Sequence, residues 1–528
     1  MRSCLPATLI LLASLLPAVD APPQPSTQLA VALARADASR LPEKVRLTCR
    51  YYYTEKQGKD LEEIRVAARY HFNLHSHVKE PVDVVEITPW LWRFDWADAR
   101  RKNDLQILAT LETAATLDHF FHEHTPTKVD VVVNTLWPGG IFAGDGKFYE
   151  RGESPVRVRA GGIVHTSAAW LPLSDIKELR ELLQSEVPIL HFGWFMAQTS
   201  RQRPYGRAKQ NGMGYYNLHG LKSRDDYFKL IKLNIKDSED IDEHIRAALE
   251  KSGINPNDGA RQIARFQALT GGSWGTFDTD DTSNGNNALD KPVVGTFKHN
   301  AEEWFSHLPN KTPVTLACND KGVLQEFAPT DSHGFNDSST LNASQDPRVH
   351  VNLACLRCHS PDILRPIKDS YREMYRAGDW LGLSAYKDSV RRELTRQYLG
   401  KLNPQIEADN AVFAEGIRQA TVTTVYPKGL TVPRAAAIYA GVFHNYVDPR
   451  SGVSLEQAAA ELGCSPVEML DSLRYIAKPP PGTVAIVDIP LSRYLTVRPL
   501  TIGRATFEAK YPLAQYALAT WRLARGKH

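Results

Sequence analysis

Apolar positions along this chain recur at two different periods, and the period changes from stretch to stretch. Over residues 61–73 they fall three and four apart, which predicts a helix. Residues 101–121, 221–233 and 240–249 read as helices too. Residues 175–184 add Leu179, Leu182 and Leu183 on one stripe behind Ser174 as cap. Residues 82–88 are strand-like, closed by Pro89 and followed by the aromatic run 90–94. Strands are also expected over 129–134, 156–164 and 484–489. Residues 45–52 suit either a strand or the start of a helix. The run Pro188-Ile189-Leu190-His191-Phe192-Gly193-Trp194-Phe195-Met196 is the most apolar of the middle and is expected near the core.

Breakers divide these stretches. Pro138-Gly139-Gly140 and Gly144-Asp145-Gly146 are turn signals, and residues 270–275 and 278–287 read as loop. No glycine pattern follows a strand at nucleotide-binding spacing. Residues 313–318 and 323–327, joined by Asn319-Asp320-Lys321-Gly322, predict a β-hairpin. A polar loop, 331–346, follows, with helices expected over 369–376 and 386–398. Ser454 and Gln457 have capping-box spacing, and Pro466 opens a second helix after Gly463. The helix–Gly–helix spacing faintly suggests a DNA-binding unit, but packing of a helix pair accounts for it. Pro479-Pro480-Pro481-Gly482 breaks the chain near its end.

Composition narrows the function classes. A net charge of +3 over 528 residues argues against a nucleic-acid partner. Hydrophobic content of 42% and ten tryptophans are ample for real cores. Residues 1–21 combine a basic start, an apolar centre and Val19-Asp20-Ala21 before Pro22, the pattern of a cleaved secretory signal. The apolar run is too short to span a bilayer, and no later stretch is long enough. The expectation is therefore an exported or periplasmic protein with no integral membrane segment. Residues 22–42 read as a flexible lead-in ending in a short helical pattern.

The sharpest chemical signal is Cys355-Leu356-Arg357-Cys358-His359. Cys-x-x-Cys-His is the attachment signature of c-type haem: two thioethers clamp the porphyrin and the adjacent histidine ligates iron. A thioredoxin-like pair would need a small α/β domain around it. Half of a zinc site would need two more ligands at zinc spacing. The expected cofactor is one covalent haem c, with Cys355 and Cys358 as attachment points and His359 as proximal iron ligand. His299 is the favoured second axial ligand and Met374 the runner-up, ahead of His165, His191, His333 and His350. Arg357, Arg365 and Lys368 are candidate partners for the haem propionates. Outside this motif and the leader stand Cys49, Cys318 and Cys464, which leave room for one disulfide. Two histidine clusters, His71/His75/His77 and His119/His122/His124, invite a metal reading. Without a carboxylate or cysteine at ligand spacing, surface histidines at a helix end are the plainer account.

Further motifs carry a resemblance. Phe297-Lys298-His299, Leu308-Pro309-Asn310, Asp320-Lys321-Gly322, Ala328-Pro329 and Asn352 to His359 resemble a family of large exported c-type cytochrome domain proteins abundant in planctomycete genomes. Phe192-Gly193-Trp194-Phe195 and the helix before Gly463 are similar to further elements of that family. Lys311 stands where the family has glycine, and the family's alanine and aspartate before Trp194 are absent. The resemblance spans roughly residues 60–470 and implies haem and export without implying a reaction.

The resulting expectation is an α+β chain, mainly helical. A β-hairpin would lie beside a single c-type haem-binding segment, followed by a helical C-terminal region with a final strand. The regions would be 43–290, of unknown role, 291–400, holding the haem, and 401–528. Electron transfer with a redox partner protein ranks first, a haem enzyme with an open distal site second, and a structural surface protein third. No nucleophile triad assembles from spacing, so catalytic residues are unknown.

Overall fold

The computed structural model describes residues 25–100, 140–143, 148–150, 164–165, 189–200, 215–233, 245–249, 261–279, 297–325, 327–328, 349–352, 355–356, 359, 362, 364–370, 373, 389, 402–421, 430–448, 451–479, 485 and 487–525. Helix α1 (Thr27–Ala38) starts where the Ser26 side chain accepts from the Leu29 N–H at 3.2 Å. Its Ala30, Ala34 and Ala38 form a buried stripe of small residues. Most of the expected flexible lead-in is thus ordered helix. Near its end Asp37 accepts hydrogen bonds from Tyr51 Oη at 2.5 Å and from Arg93. Helix α2 (Glu43–Thr48) runs directly into strand β1 (Cys49–Tyr53), so the ambiguous stretch 45–52 is both helix and strand.

Helix α3 (Gly58–Asn73) follows, as its periodicity predicts. Strands β2 (Val85–Thr88), β3 (Leu91–Asp95) and β4 (Ile189–His191) complete a sheet ordered β2-β3-β1-β4. β3 pairs antiparallel with β1, while β4 pairs parallel to it, Tyr51 opposite Ile189 and Tyr53 opposite His191. β1 is buried along its whole length, which suits its aromatic sequence. Tyr52 packs on Phe72 with ring centroids 4.5 Å apart, and its hydroxyl accepts from Trp96 Nε1 at 3.0 Å. Helix α4 (Phe192–Thr199) is buried at every residue, so the apolar run 188–196 belongs to the core as expected.

After α5 (Tyr215–Leu218) and α6 (Arg224–Ile231) comes a five-stranded antiparallel meander. It comprises β5 (Ile245–Leu249), β6 (Arg261–Gln267), β7 (Gly272–Asp278), β8 (Ala301–His307) and β9 (Pro313–Asn319). Chain neighbours are sheet neighbours throughout. Three expectations change here. Residues 245–249, read as the end of a helix, pair with β6 from Ile245–Arg265 to Leu249–Arg261. A partner's edge overrides weak helix propensity in so short a run. The glycine-rich stretch 270–275 is not all loop: Gly275 lies in β7 opposite Trp304, where a Cβ would come within 2.9 Å of the indole. The hairpin turn does form, but β9 pairs along its length with β8 and meets Leu324 through one isolated bridge from Cys318.

The C-terminal part is helical as expected: α7 (Leu402–Thr421), α8 (Val432–Val447), α9 (Leu455–Glu461), α10 (Pro466–Ala477) and α11 (Arg504–Ala524). Ser454 caps α9 by accepting from Gln457 N at 3.2 Å, whereas the Gln457 amide turns to Glu461. The complete capping box belongs to α10, between Ser465 and Glu468. The final strand is absent at 487–489, where Asp488 caps a short helix, Ile489–Ser492. Gly193 lets α4 and α8 pack closely, since a Cβ there would lie 2.2 Å from the Tyr446 ring.

The architecture is a mixed α+β fold with mainly helical content and terminal helices. The helix expected at 101–121, the strand at 129–134, the helix at 175–184, the loop at 331–346 and His119, His122 and His124 lie outside the described residues.

Candidate functional site

The two leading candidate axial histidines, His299 and His359, each pack against an element of the five-stranded sheet. His299 directs Nε2 to Glu302 Oε1 at 2.9 Å, and its ring packs against Phe277. Glu302 also accepts from Arg224 Nη1 at 2.5 Å and Trp304 Nε1 at 2.8 Å, so His299 belongs to a carboxylate-centred cluster beside β8. The His359 ring lies against Phe305, centroids 4.3 Å apart, and Cys355 is half-buried. Cys358, Arg357, Met374 and His333 lie outside the described residues. Among the described residues no group of three or more His, Cys, Asp or Glu side chains could hold a metal ion. This corrects the expected fold class at its haem-binding segment. It equally corrects the iron and haem c cofactor and the mono-haem cytochrome function. The redox-partner expectation has that haem as its only basis. Lys368 lies exposed beside Glu373 at 3.7 Å, and Arg365 is exposed as well. Cys49 and Cys318 are buried free thiols.

Two other constellations emerge. The first lies at the carboxyl ends of the parallel strands β1 and β4, the edge at which open α/β sheets commonly bind ligands. Glu55, two residues beyond β1, faces a cavity of about 690 Å³ also lined by Tyr53, Glu456, Cys464, Trp521 and Arg525. Behind it, His191 at the end of β4 is completely buried and places Nε2 2.6 Å from Glu55 Oε2. Lys56 Nζ lies 3.0 Å from the other carboxylate oxygen. Burial pushes the Glu55 carboxyl up. The charge and hydrogen bond of His191, with the charge of Lys56, outweigh it and hold the group at about 2. His191, a minor candidate for iron, instead serves this carboxylate.

The second constellation overturns the reading of His71, His75 and His77 as surface residues. All three are buried, and His219 from beyond α5 joins them. His71 places Nδ1 3.1 Å from Tyr439 Oη and Nε2 2.8 Å from Thr199 Oγ1. His77 Nε2 lies 3.0 Å from His219 Nδ1, and Arg100 Nη1 approaches the His77 ring at 2.8 Å. His75 sits between them, 5.0 Å from the His71 ring and 5.4 Å from that of His219. Burial lowers His71 to about 3. Burial, then the neighbouring His and Arg charges, push His75 and His219 well below the usual histidine range.

The spacing of His71 and His75, one helical turn apart and interleaved with Tyr70 and Phe72, was the available sign of an inward face. Glu55 carried no local signal, because its partner stands 136 residues away. Comparison with family models, with curated proteins and with solved structures finds no match.

Proposed function

We propose that this chain is an exported binding protein for a small organic cation, held at Glu55 in the cavity beside β1 and β4. The observation that carries the reading is an ionised carboxylate in the wall of a cavity of about 690 Å³, within the size range of small-molecule sites. A group at about 2 stays charged at neutral pH but is a poor proton acceptor. That favours charge recognition over general-base chemistry. The remaining lining agrees. Glu456, Glu468 and Asp471 add negative charge, and the Arg525 guanidinium already lies 5.1 Å over the Trp521 ring, so a cation is seated on this lining.

Export rests on the leader pattern in residues 1–21. Among the described residues, no helix is long and apolar enough to cross a membrane. Calorimetric titration of the full chain with tetramethylammonium, choline and short diamines tests the binding. At least one should bind, with affinity falling about tenfold or more in Glu55→Gln and weakening with salt. Equal binding to wild type and Glu55→Gln would refute the site. N-terminal sequencing from the native host tests export, with a new terminus expected near Pro22.

A further inference from the structure

The end of α3 is where the parts of this molecule meet. Asn310 Nδ2 and Thr312 Oγ1, in the turn between β8 and β9, donate to the Asn73 carbonyl at 2.8 and 3.2 Å. The four histidines surround the same turn of chain, and hydrogen-bond partners alone constrain their protons. Thr199 Oγ1 gives its proton to the Phe195 carbonyl at 2.7 Å, so it accepts from His71 Nε2. The opposite ring nitrogen is then free to accept from Tyr439 Oη. Arg100 Nη1 lies 2.8 Å from both nitrogens of the His77 ring, so a proton on that ring would set two cations against each other. The His77–His219 contact needs one donor and one acceptor, which two imidazolium rings cannot supply. His75 is 1% exposed, and among the described residues neither of its nitrogens has a hydrogen-bond partner, nor does His219 Nε2.

Among the described residues, no negative charge acts on His75 or His219. α3 contributes His71 and the chain just beyond it His77, α5 contributes Tyr215, and α8 contributes Tyr439. α4 presents Thr199 and Phe195, which carry no charge, and the chain beyond β3 presents the Arg100 guanidinium. Among the described residues, the charges acting on His75 and His219 are histidine and arginine, with no carboxylate.

We propose that this four-imidazole core is an acid-operated latch: proton uptake by its rings frees the end of α3 from Arg100, from α5 and from the 308–312 turn, opening the joint between the helical part and the five-stranded sheet. A proton on His77 sets an imidazolium against the Arg100 guanidinium at 2.8 Å. A second on His219 turns the 3.0 Å contact into opposed donors. Each added charge stays buried until the joint opens to water, so proton uptake and opening are linked.

Segment-resolved hydrogen exchange of the full chain between pH 7.5 and pH 4.5, corrected for the intrinsic pH dependence, tests this. Residues 70–77 and 215–220 should lose protection by roughly tenfold or more per pH unit below about pH 6.5, while β6 to β9 stay protected. The double variant His75→Phe/His219→Phe should move the opening at least about half a pH unit lower and reduce its steepness. An unchanged midpoint and slope in that variant would overturn the latch. If the variant fails to fold, the wild type still decides. Local opening supports the proposal, whereas loss of protection everywhere at one pH, or nowhere, overturns it.

Discussion

Asp409 and His75 are both 1% exposed, and both lie where a helix meets another part of the molecule, yet their surroundings differ. The Asp409 carboxylate of α7 accepts from Arg265 Nε at 2.8 Å and Nη2 at 3.0 Å, from the Gly272 N–H at 2.7 Å and from Trp274 Nε1 at 2.8 Å. Its charge is matched and its oxygens are occupied, so it ties α7 to β6 and β7. His75 has close imidazole neighbours, no compensating charge among the described residues and no hydrogen-bond partner at either nitrogen. A filled set of partners makes the first cluster rigid. An incomplete one makes the second responsive to protons.

The largest expected effect comes from breaking the filled cluster. Asp409→Ala leaves the Arg265 guanidinium buried without its partner and should destabilise by about 3–5 kcal/mol in urea unfolding. Arg265→Met/Asp409→Leu should recover most of that loss, because the buried charge goes with the pair. A double variant as unstable as Asp409→Ala would mean that Asp409 acts through Gly272 and Trp274 instead.

Acid comes next. His307, beside Asp409, is lowered to about 4 by burial, which outweighs the raising effect of Asp409; His71 is lowered to about 3 by burial alone. In both, the folded pKa lies below the unfolded value near 6.5, so the unfolded chain binds more protons in between. Their contribution is complete above about pH 6.5 and is lost as pH falls toward 4 and then 3, at about 1.4 kcal/mol per pH unit for each ring. Glu55 acts later, with stability present above its ordinary value of 4.5 and lost toward about 2. Urea midpoints at pH 7.5, 6 and 5 should therefore fall steadily, and His307→Phe should flatten part of that slope. A flat profile from pH 7.5 to 5 would contradict the neutral, buried state of these rings.

Smaller effects sharpen the contrast from the histidine side. Tyr439→Phe leaves His71 Nδ1 without its hydroxyl partner and should cost about 1–2 kcal/mol at pH 7.5, read by thermal melting. The turn between the two clusters offers the smallest change. Lys311 holds a left-handed backbone with φ of 68°, and its N–H donates to the Leu308 carbonyl at 2.8 Å. Lys311→Gly should stabilise by about 0.5–1 kcal/mol, because glycine adopts that conformation without steric penalty. Destabilisation would show that the Lys311 side chain contributes more than its backbone geometry costs.

The sequence by itself determined the elements whose signals are local. The periodicity of 61–73, the helix behind Ser454, the turn at 319–322 and the buried run 188–196 all appear where the residues predict them. Strand partners were not visible, because β8 captures β9 through hydrogen bonds that any extended backbone could supply. Nor could sequence tell that His299 serves Glu302, that Glu55 meets His191, or that His71, His75 and His77 face inward with His219. The pairing of a buried polar group depends on residues brought together across long stretches of chain, and burial depends on what packs over it. Tertiary structure decided both.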